Sequence, residues 1–344
     1  MKKLRILMLV HETLVPPDDI TGLSEVEIDE FRTEHNVQAT LLELGHRVEV
    51  LGIGDSIAPL RSALEEFKPD IVFNLLEEFS GIVSYDHYVV AYLELMRQPY
   101  TGCNPRGMMI SRDKILTKQV LAYHRIPTPA FHIFPNGKRY KEPRRPIFPL
   151  IVKSASDDAS LGISQASIVH DGAHLRERVE FIREQTRSNV IAEQYIEGRE
   201  IYVGIMGNDR LTTFPVWELD FGTLSEVQSG IATRRVKWDR KYQEKHGIKA
   251  GVAKDLSPAM QSKITQLAKR IYRSVHMTGY GRMDMRMRED GSLWVLEANA
   301  NPDLTWGEDF AESAERIGIL YPALLTRILA LGLSYQPEWR MFDS

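Results

Sequence analysis

The sequence predicts an α/β unit with a parallel sheet in its first third, followed by α+β structure with mostly antiparallel strands. Three observations carry this. Strand-like apolar runs alternate with helical stretches up to about residue 100, strand signals crowd together after residue 150, and the composition is that of an ordinary globular chain. The chain has 344 residues, 43% of them hydrophobic and 26% charged. At roughly 150 residues per domain, two to three domains are expected.

In the first third, Leu4–Val10, Val48–Ile53 and Asp70–Leu76 read as strands. Between and after them, Glu25–Leu44 (closed by Gly45), Ile57–Phe67 and Tyr88–Met96 read as helices. Strands alternating with helices imply parallel βαβ pairing, with loops at the strand carboxyl ends open to ligands. Phe134–Pro149 carries four prolines and a basic cluster, and reads as a linker or exposed excursion. Strands are expected over Leu150–Lys153, Ile163–Val169, Asn189–Ile196, Glu200–Met206 and Leu211–Trp217, with a helix at Gly172–Arg183. Asp220–Lys254 is polar and reads as a long, weakly structured span, uncommon unless functional. Ser257-Pro258 has the N-cap and N1 residues of a helix whose apolar positions follow the 3.6 period. Tyr280–Met287 and Ser292–Ala298 form a predicted hairpin around Glu289-Asp290-Gly291, and Ile319–Leu331 reads as a last helix.

Several function classes are excluded or disfavoured. Lys plus Arg (43) against Asp plus Glu (47) leaves a net charge of −4, which gives no support for nucleic-acid or membrane-surface binding. Cys103 stands alone, so no internal disulfide or thiolate-rich metal site can form, and a reducing, cytoplasmic setting is expected. No run approaches 18 apolar residues, so no membrane span is expected. Gly52-Ile-Gly54 lacks the third glycine of a dinucleotide fingerprint, and no P-loop, zinc-protease helix or nucleophile elbow occurs.

Three clusters suggest chemistry. In the predicted hairpin, Arg282 and Asp284 share one strand face, as do Glu297 and Asn299 on its partner. Two carboxylates and an amide oxygen suit Mg²⁺, and Arg282 beside them would neutralise developing negative charge. The same residues also fit a half-exposed hairpin with a surface Arg–Asp pair. Lys153 ends an apolar strand and precedes the small-residue loop Ser154–Gly162, an arrangement able to fold over phosphates, although a strand-end lysine is also compatible with simple exposure. Finally, Val190–Ile196, the break at Gly198 and the strand beginning at Glu200 form a hinge-like edge. Its backbone could pair with a purine and Glu200 could accept from ribose hydroxyls; an ordinary hairpin is the alternative.

In this order the clusters resemble the ATP-grasp superfamily, and within it the D-alanine–D-alanine ligase group, over roughly Asp70 to Leu333. The likeness begins with Glu94–Gly102 and Ser111-Arg-Asp-Lys114-Ile-Leu-Thr-Lys118, runs through the three clusters and ends at Leu296-Glu-Ala-Asn-Ala-Asn-Pro302. It implies an ATP-grasp fold with an N-terminal Rossmann-like domain (1–110), a central subdomain (111–207) and a C-terminal subdomain (208–344), the nucleotide lying between the last two. By resemblance, Lys114 and Lys153 would hold ATP phosphates, and Ser160 and Gly162 would sit in the phosphate-covering loop. Glu193, Tyr195 and Ile196 would frame the adenine, and Glu200 the ribose. Lys237 matches a mobile-loop lysine that closes on the γ-phosphate. Asp284, Glu297 and Asn299 would bind two Mg²⁺ ions, with Mn²⁺ as an alternative, and Arg282 would stabilise the tetrahedral intermediate. The implied reaction joins a small-molecule carboxylate to an amine through an acyl phosphate, and a homodimer is compatible with the likeness.

The departures fall on the substrate side. The family's glycine-rich opening is replaced by His11–Asp19, and its Leu-His-Gly by Leu76-Glu77-Glu78. Ala159 and Trp238 stand where a serine and a tyrosine belong. Asn301-Pro302-Asp303 replaces a Ser-Pro-Gly that receives a substrate carboxylate, and Asp303 would favour an amine instead. The expectation is a carboxylate–amine ligase with substrates other than two D-alanines, Glu77, Asn301 and Asp303 lining its substrate side. A D-alanine–D-alanine ligase with unusual contacts and a non-catalytic ATP-binding regulator are the alternatives.

Overall fold

The computed structural model describes residues 2–156, 164–223, 233, 236 and 239–341. Its strands are β1 (Arg5–His11), β2 (Arg47–Ile53), β3 (Ile71–Asn74), β4 (Phe131–Phe134), β5 (Leu150–Ser154), β6 (Ile168–Val169), β7 (Val190–Gln194), β8 (Arg199–Met206), β9 (Thr212–Thr213), β10 (Trp217–Asp220), β11 (Lys249–Val252), β12 (Tyr280–Met287) and β13 (Leu293–Asn299). They form three sheets. The first, in the order β2-β1-β3, is parallel throughout, as the strand–helix alternation predicts. Its central strand is buried on both faces, with Ile6, Met8, Leu9 and Val10 inaccessible to solvent, so it reads as a continuous apolar run.

The second sheet, β4-β7-β5-β6, is antiparallel and is backed by the helix Gly172–Thr186, which the Asp171 side chain caps by accepting from the His174 amide. The third runs β11-β10-β8-β12-β13, with β9 on β8, and all its pairings are antiparallel. The helix Pro258–Ser274, capped by Ser257, packs Ile264, Ala268 and Ile271 beneath it. Because β8 hydrogen-bonds between β10 and β12, a division at 207/208 would separate this strand from its own sheet. Sheet membership changes earlier, between Gln194 and Arg199.

Other differences have local causes. The long helix read over Glu25–Leu44 is two, Glu25–Glu30 and Arg32–Glu43, broken at Phe31 (φ −125°, ψ 23°). The strand expected over Leu211–Trp217 is interrupted at Pro215, which has no amide to donate, leaving β9 before it and β10 after it. Ile163–Val169 contributes β6 after a short 3-10 turn at Gln165–Ser167. Asp220–Lys254 is not featureless, for it holds the helix Arg240–His246 and β11. The helices Pro105–Arg112, Lys114–Tyr123 and Asp309–Glu315 lie outside the elements read from the sequence; that at Lys114 starts on Asp113, whose side chain accepts from the amides of Ile115 and Leu116.

The β12–β13 hairpin is regular from Arg282–Asn299 through Asp284–Glu297, after which Met285 pairs with Val295, leaving Leu296 as an extra, unmatched residue.

Candidate active site

The hairpin sets the centre of the site. Arg282 lies directly opposite Asn299 and Asp284 directly opposite Glu297, so the four side chains share one sheet face. The Arg282 guanidinium grips Asp284 through two bonds of 2.8 Å, Nε to Oδ1 and Nη2 to Oδ2, and lies 4.6 Å over the Tyr202 ring on β8. Burial alone would weaken the Arg282 charge, but Asp284 outweighs it and holds the guanidinium firmly protonated. Asn299 Oδ1 accepts from the Asn301 amide at 2.8 Å and turns the chain out of β13. Two carboxylates and an amide oxygen in register are the hard-oxygen donors that Mg²⁺ takes.

Beside the hairpin lies a buried charge group. Lys118 Nζ is 3.1 Å from Glu193 Oε2 and Lys153 Nζ is 3.0 Å from Glu193 Oε1, one carboxylate serving two ammonium groups. Lys118 is wholly buried, and also donates to Thr128 Oγ1 at 3.0 Å and to the Leu296 carbonyl at 3.3 Å. The helix Lys114–Tyr123 is thereby fastened through Lys118 to the extra residue of the hairpin. Burial pulls Lys118 down, whereas in Lys153 the charges of Glu193 and Glu297 overcome burial and raise the ammonium. Burial would raise Glu193, but the two lysines overcome it and hold its carboxyl low. Lys114, on the same helix face as Lys118, is buried and pushed down to about 8 by desolvation, partly offset by Glu297.

The edge that the sequence offers to a purine has its own brace. Glu200 pairs with Arg286 and accepts from the Tyr202 hydroxyl at 2.7 Å, while Arg286 Nη1 donates to the Gly198 carbonyl at 3.0 Å. Gly198 has φ +135°, and a Cβ there would collide with the Met287 carbonyl, so the predicted break requires glycine. Tyr195 and Ile196 are buried here, and the Tyr195 amide donates to the Pro149 carbonyl at 2.9 Å. Any contact of Glu193 with a base would use its backbone, because its side chain is committed to the two lysines.

Of the residues expected on the substrate side, Asp303 meets helix Arg32–Glu43 of the first unit. Asp303 Oδ1 accepts from Thr33 Oγ1 at 3.1 Å, from the Thr305 amide at 2.8 Å and from Thr305 Oγ1 at 2.6 Å. Next to Thr33, the buried Glu34 carboxyl is raised to about 7 by burial, with Glu77 and Asp303 adding to the shift. Glu77 keeps solvent contact, but the protein around it raises its carboxyl too, Arg112 countering in part. Asn301 continues the turn after Asn299. Ser160, Gly162 and Lys237 lie outside the described residues, as do Ala159 and Trp238.

Sequence reasoning missed Lys118 and Glu34. The spacing of Lys114 and Lys118, one helical turn apart, was the available signal for the first; nothing local marks the second. Since Glu34 is raised from an ordinary value near 4.5, it favours the folded state at low pH, and that contribution is lost as pH climbs through about 7. Glu34→Gln should therefore gain stability relative to the parent between pH 5 and pH 8, by about 2–3 kcal/mol at the upper end. Melting temperatures across that range check this; a constant difference at every pH would contradict it.

Among the described residues, no helix is long and apolar enough to cross a membrane, and no group of three or more His, Cys, Asp or Glu side chains could hold a metal ion. The hairpin set, with its amide, is outside that second description.

A parallel N-terminal sheet, two antiparallel sheets and a hairpin of acid, amide and arginine next to buried lysines define an ATP-grasp, ATP-dependent carbon–nitrogen ligase. Residues 120–330 match the D-ala D-ala ligase C-terminus family, and the chain belongs to that family of carboxylate–amine ligases. It is 32% identical to the uncharacterized protein y4sG of Sinorhizobium fredii, over 87% of this chain and 86% of that one. It is 28% identical to a D-alanine–D-alanine ligase of Desulfotalea psychrophila, over 79% and 81% of the two chains. The fold superposes with a TM-score of 0.74 on the crystal structure of D-alanine–D-alanine ligase from Bacillus anthracis complexed with ATP, at 22% identity over 99% of this chain and 100% of that chain.

Proposed function

We propose that the protein uses ATP and Mg²⁺ to activate a small-molecule carboxylate as an acyl phosphate and then condenses it with an amine, the two substrates not being two D-alanines. The observation that carries this reading is the in-register face of Arg282, Asp284, Glu297 and Asn299 beside the Lys114, Lys118 and Lys153 ammonium groups. Asp284, Glu297 and Asn299 would hold the metal, which when bound supplies charge neutralisation on phosphate oxygens. The lysines neutralise the triphosphate, and Glu193 fixes two of them in place. The backbone at Tyr195 and Ile196 receives the base, and Glu200 stays within reach of the ribose. A carboxylate oxygen bonds to the γ-phosphorus as the bond to ADP breaks. The amine nitrogen then bonds to the acyl carbon as the carbon–oxygen bond to phosphate breaks, releasing phosphate and a proton. Arg282, pinned by Asp284 and resting on Tyr202, is placed to meet the negative charge that builds in that second step.

Phosphate release from ATP and Mg²⁺ with pooled carboxylic acids and amines tests the reading, and release dependent on both pools is expected. No release, together with no ATP binding by calorimetry, would remove it. The relatives named D-alanine–D-alanine ligase favour a second reading, in which D-alanine alone suffices as acid and amine. Asp303 speaks against it, because the resemblance puts a substrate carboxylate opposite that position and an acid there would repel it.

A further inference from the structure

The extra residue of the hairpin is held from outside its sheet. Among the described residues β13 is the last strand of that sheet, so one of its edges has no neighbouring strand. On a regular strand successive carbonyls point to opposite edges. Here the carbonyls of Val295 and Leu296 both accept from one pair of side chains. Thr128 Oγ1 donates to Val295 at 3.1 Å, and Lys118 Nζ donates to Leu296 at 3.3 Å. Lys118 Nζ also donates to Thr128 Oγ1 at 3.0 Å, which joins the two donors to each other. The Val295 amide completes the attachment by donating to the Pro127 carbonyl at 2.9 Å.

What this grip fixes is register. Asp284 stands opposite Glu297, whereas Met285 stands opposite Val295. Regular pairing continued from Met285 and Val295 would bring Leu296, not Glu297, opposite Asp284. Two successive backbone oxygens turned to one side belong to the insertion, and the Lys118–Thr128 pair satisfies both.

Lys118 has no donor left for a ligand. An ammonium carries three N–H groups, and these meet Thr128, Leu296 and, at 3.1 Å, Glu193 Oε2. The side chain is only 1% exposed. It therefore acts on a bound triphosphate through its field and through the groups it holds, not by contact. Glu193 turns its other oxygen to Lys153 at 3.0 Å, so the same ammonium ties the hairpin to the second sheet.

Resting on the ligase reading above, we infer that Lys118 and Thr128 are positioning residues for the metal site: together they hold the insertion at Leu296 so that Glu297 faces Asp284, and Lys118 carries that placement on to Lys153 through Glu193. Groups that orient a metal's ligands in this way are worth about ten- to a hundredfold in metal affinity.

Mn²⁺ binding to the full chain with a non-hydrolysable ATP analogue, followed by electron paramagnetic resonance, tests this without turnover. Thr128→Val removes the hydroxyl at similar volume and should weaken Mn²⁺ about tenfold, with the affinity for the analogue at saturating Mn²⁺ unchanged. Thr128→Ser keeps the hydroxyl and should restore the parental Mn²⁺ affinity. Lys118→Met should weaken Mn²⁺ at least as much and also weaken the analogue, because Glu193 is then left to Lys153 alone. A merely structural role would lower the melting temperature of Thr128→Val and leave its Mn²⁺ affinity at the parental value, and that result overturns the inference. An equal loss in Thr128→Ser and Thr128→Val overturns it too. Should Lys118→Met fail to fold by circular dichroism, the two Thr128 variants decide. A parent that binds neither the analogue nor Mn²⁺ removes the ligase reading and this inference with it, whereas a parent that binds both, with variants indistinguishable from it, removes this inference alone.

Discussion

Glu297→Ala is expected to lower ATP-dependent condensation by about a thousandfold or more, equivalent to roughly 4 kcal/mol of transition-state stabilisation. The carboxylate lies opposite Asp284, and without it the hairpin keeps a single acid already gripped by Arg282. The loss extends to the lysines, because the Glu297 charge helps keep Lys114 and Lys153 protonated. ATP affinity should therefore fall together with turnover. The fold should survive, since Glu297 is only half-buried and sits at the sheet surface. Initial rates at saturating Mg²⁺, with circular dichroism as the folding control, check this. Near-parental activity in a folded variant would show that Glu297 is not a metal ligand.

Glu193→Ala is expected to act on stability before activity, costing about 3–5 kcal/mol. The carboxylate is the shared counter-ion of Lys118 and Lys153, all three side chains being buried. Removing it leaves two ammonium groups inside the protein, and burial then favours their neutral forms. A lysine whose folded pKa drops below its unfolded value destabilises the native state at low pH, and the deficit shrinks as pH rises. Urea denaturation at pH 7 and pH 9.5 should show a smaller loss at the higher pH. A loss below about 1 kcal/mol at neutral pH would mean that the pair of lysines is neutralised in another way.

The parts of the site that could be read from sequence are those whose partners lie close along the chain. The hairpin is legible because Asp290-Gly291 fixes its turn and alternation fixes its faces, so Arg282, Asp284, Glu297 and Asn299 could be grouped without coordinates. Lys153 is legible as an apolar strand running into a charged end. Glu193 is harder. Its position on β7 is predictable, but its partners come from a helix and a strand that only the tertiary fold brings to it, and so its part as a shared counter-ion was not foreseen. Glu34 is the extreme case. On its helix it passes for one polar residue among several, and its meaning comes from Glu77 and Asp303, which are distant in sequence. Interruptions of regular structure were also hidden where one residue decides them, as at Phe31 and Pro215.

The unmatched Leu296 acts as a change of phase. Along β13 and the residue after it the buried side chains are Leu293 and Val295 before the bulge, and Ala298 and Ala300 after it, so the inward-facing parity switches from odd to even numbers at that point. An uninterrupted period of two would send Glu297 inward behind Val295 and leave Ala298 on the reacting surface. One supernumerary residue thus lets a single strand act as core filling for half its length and as a row of polar donors for the rest, and the timing of that switch, as much as the identity of the residues, decides whether this hairpin can do chemistry.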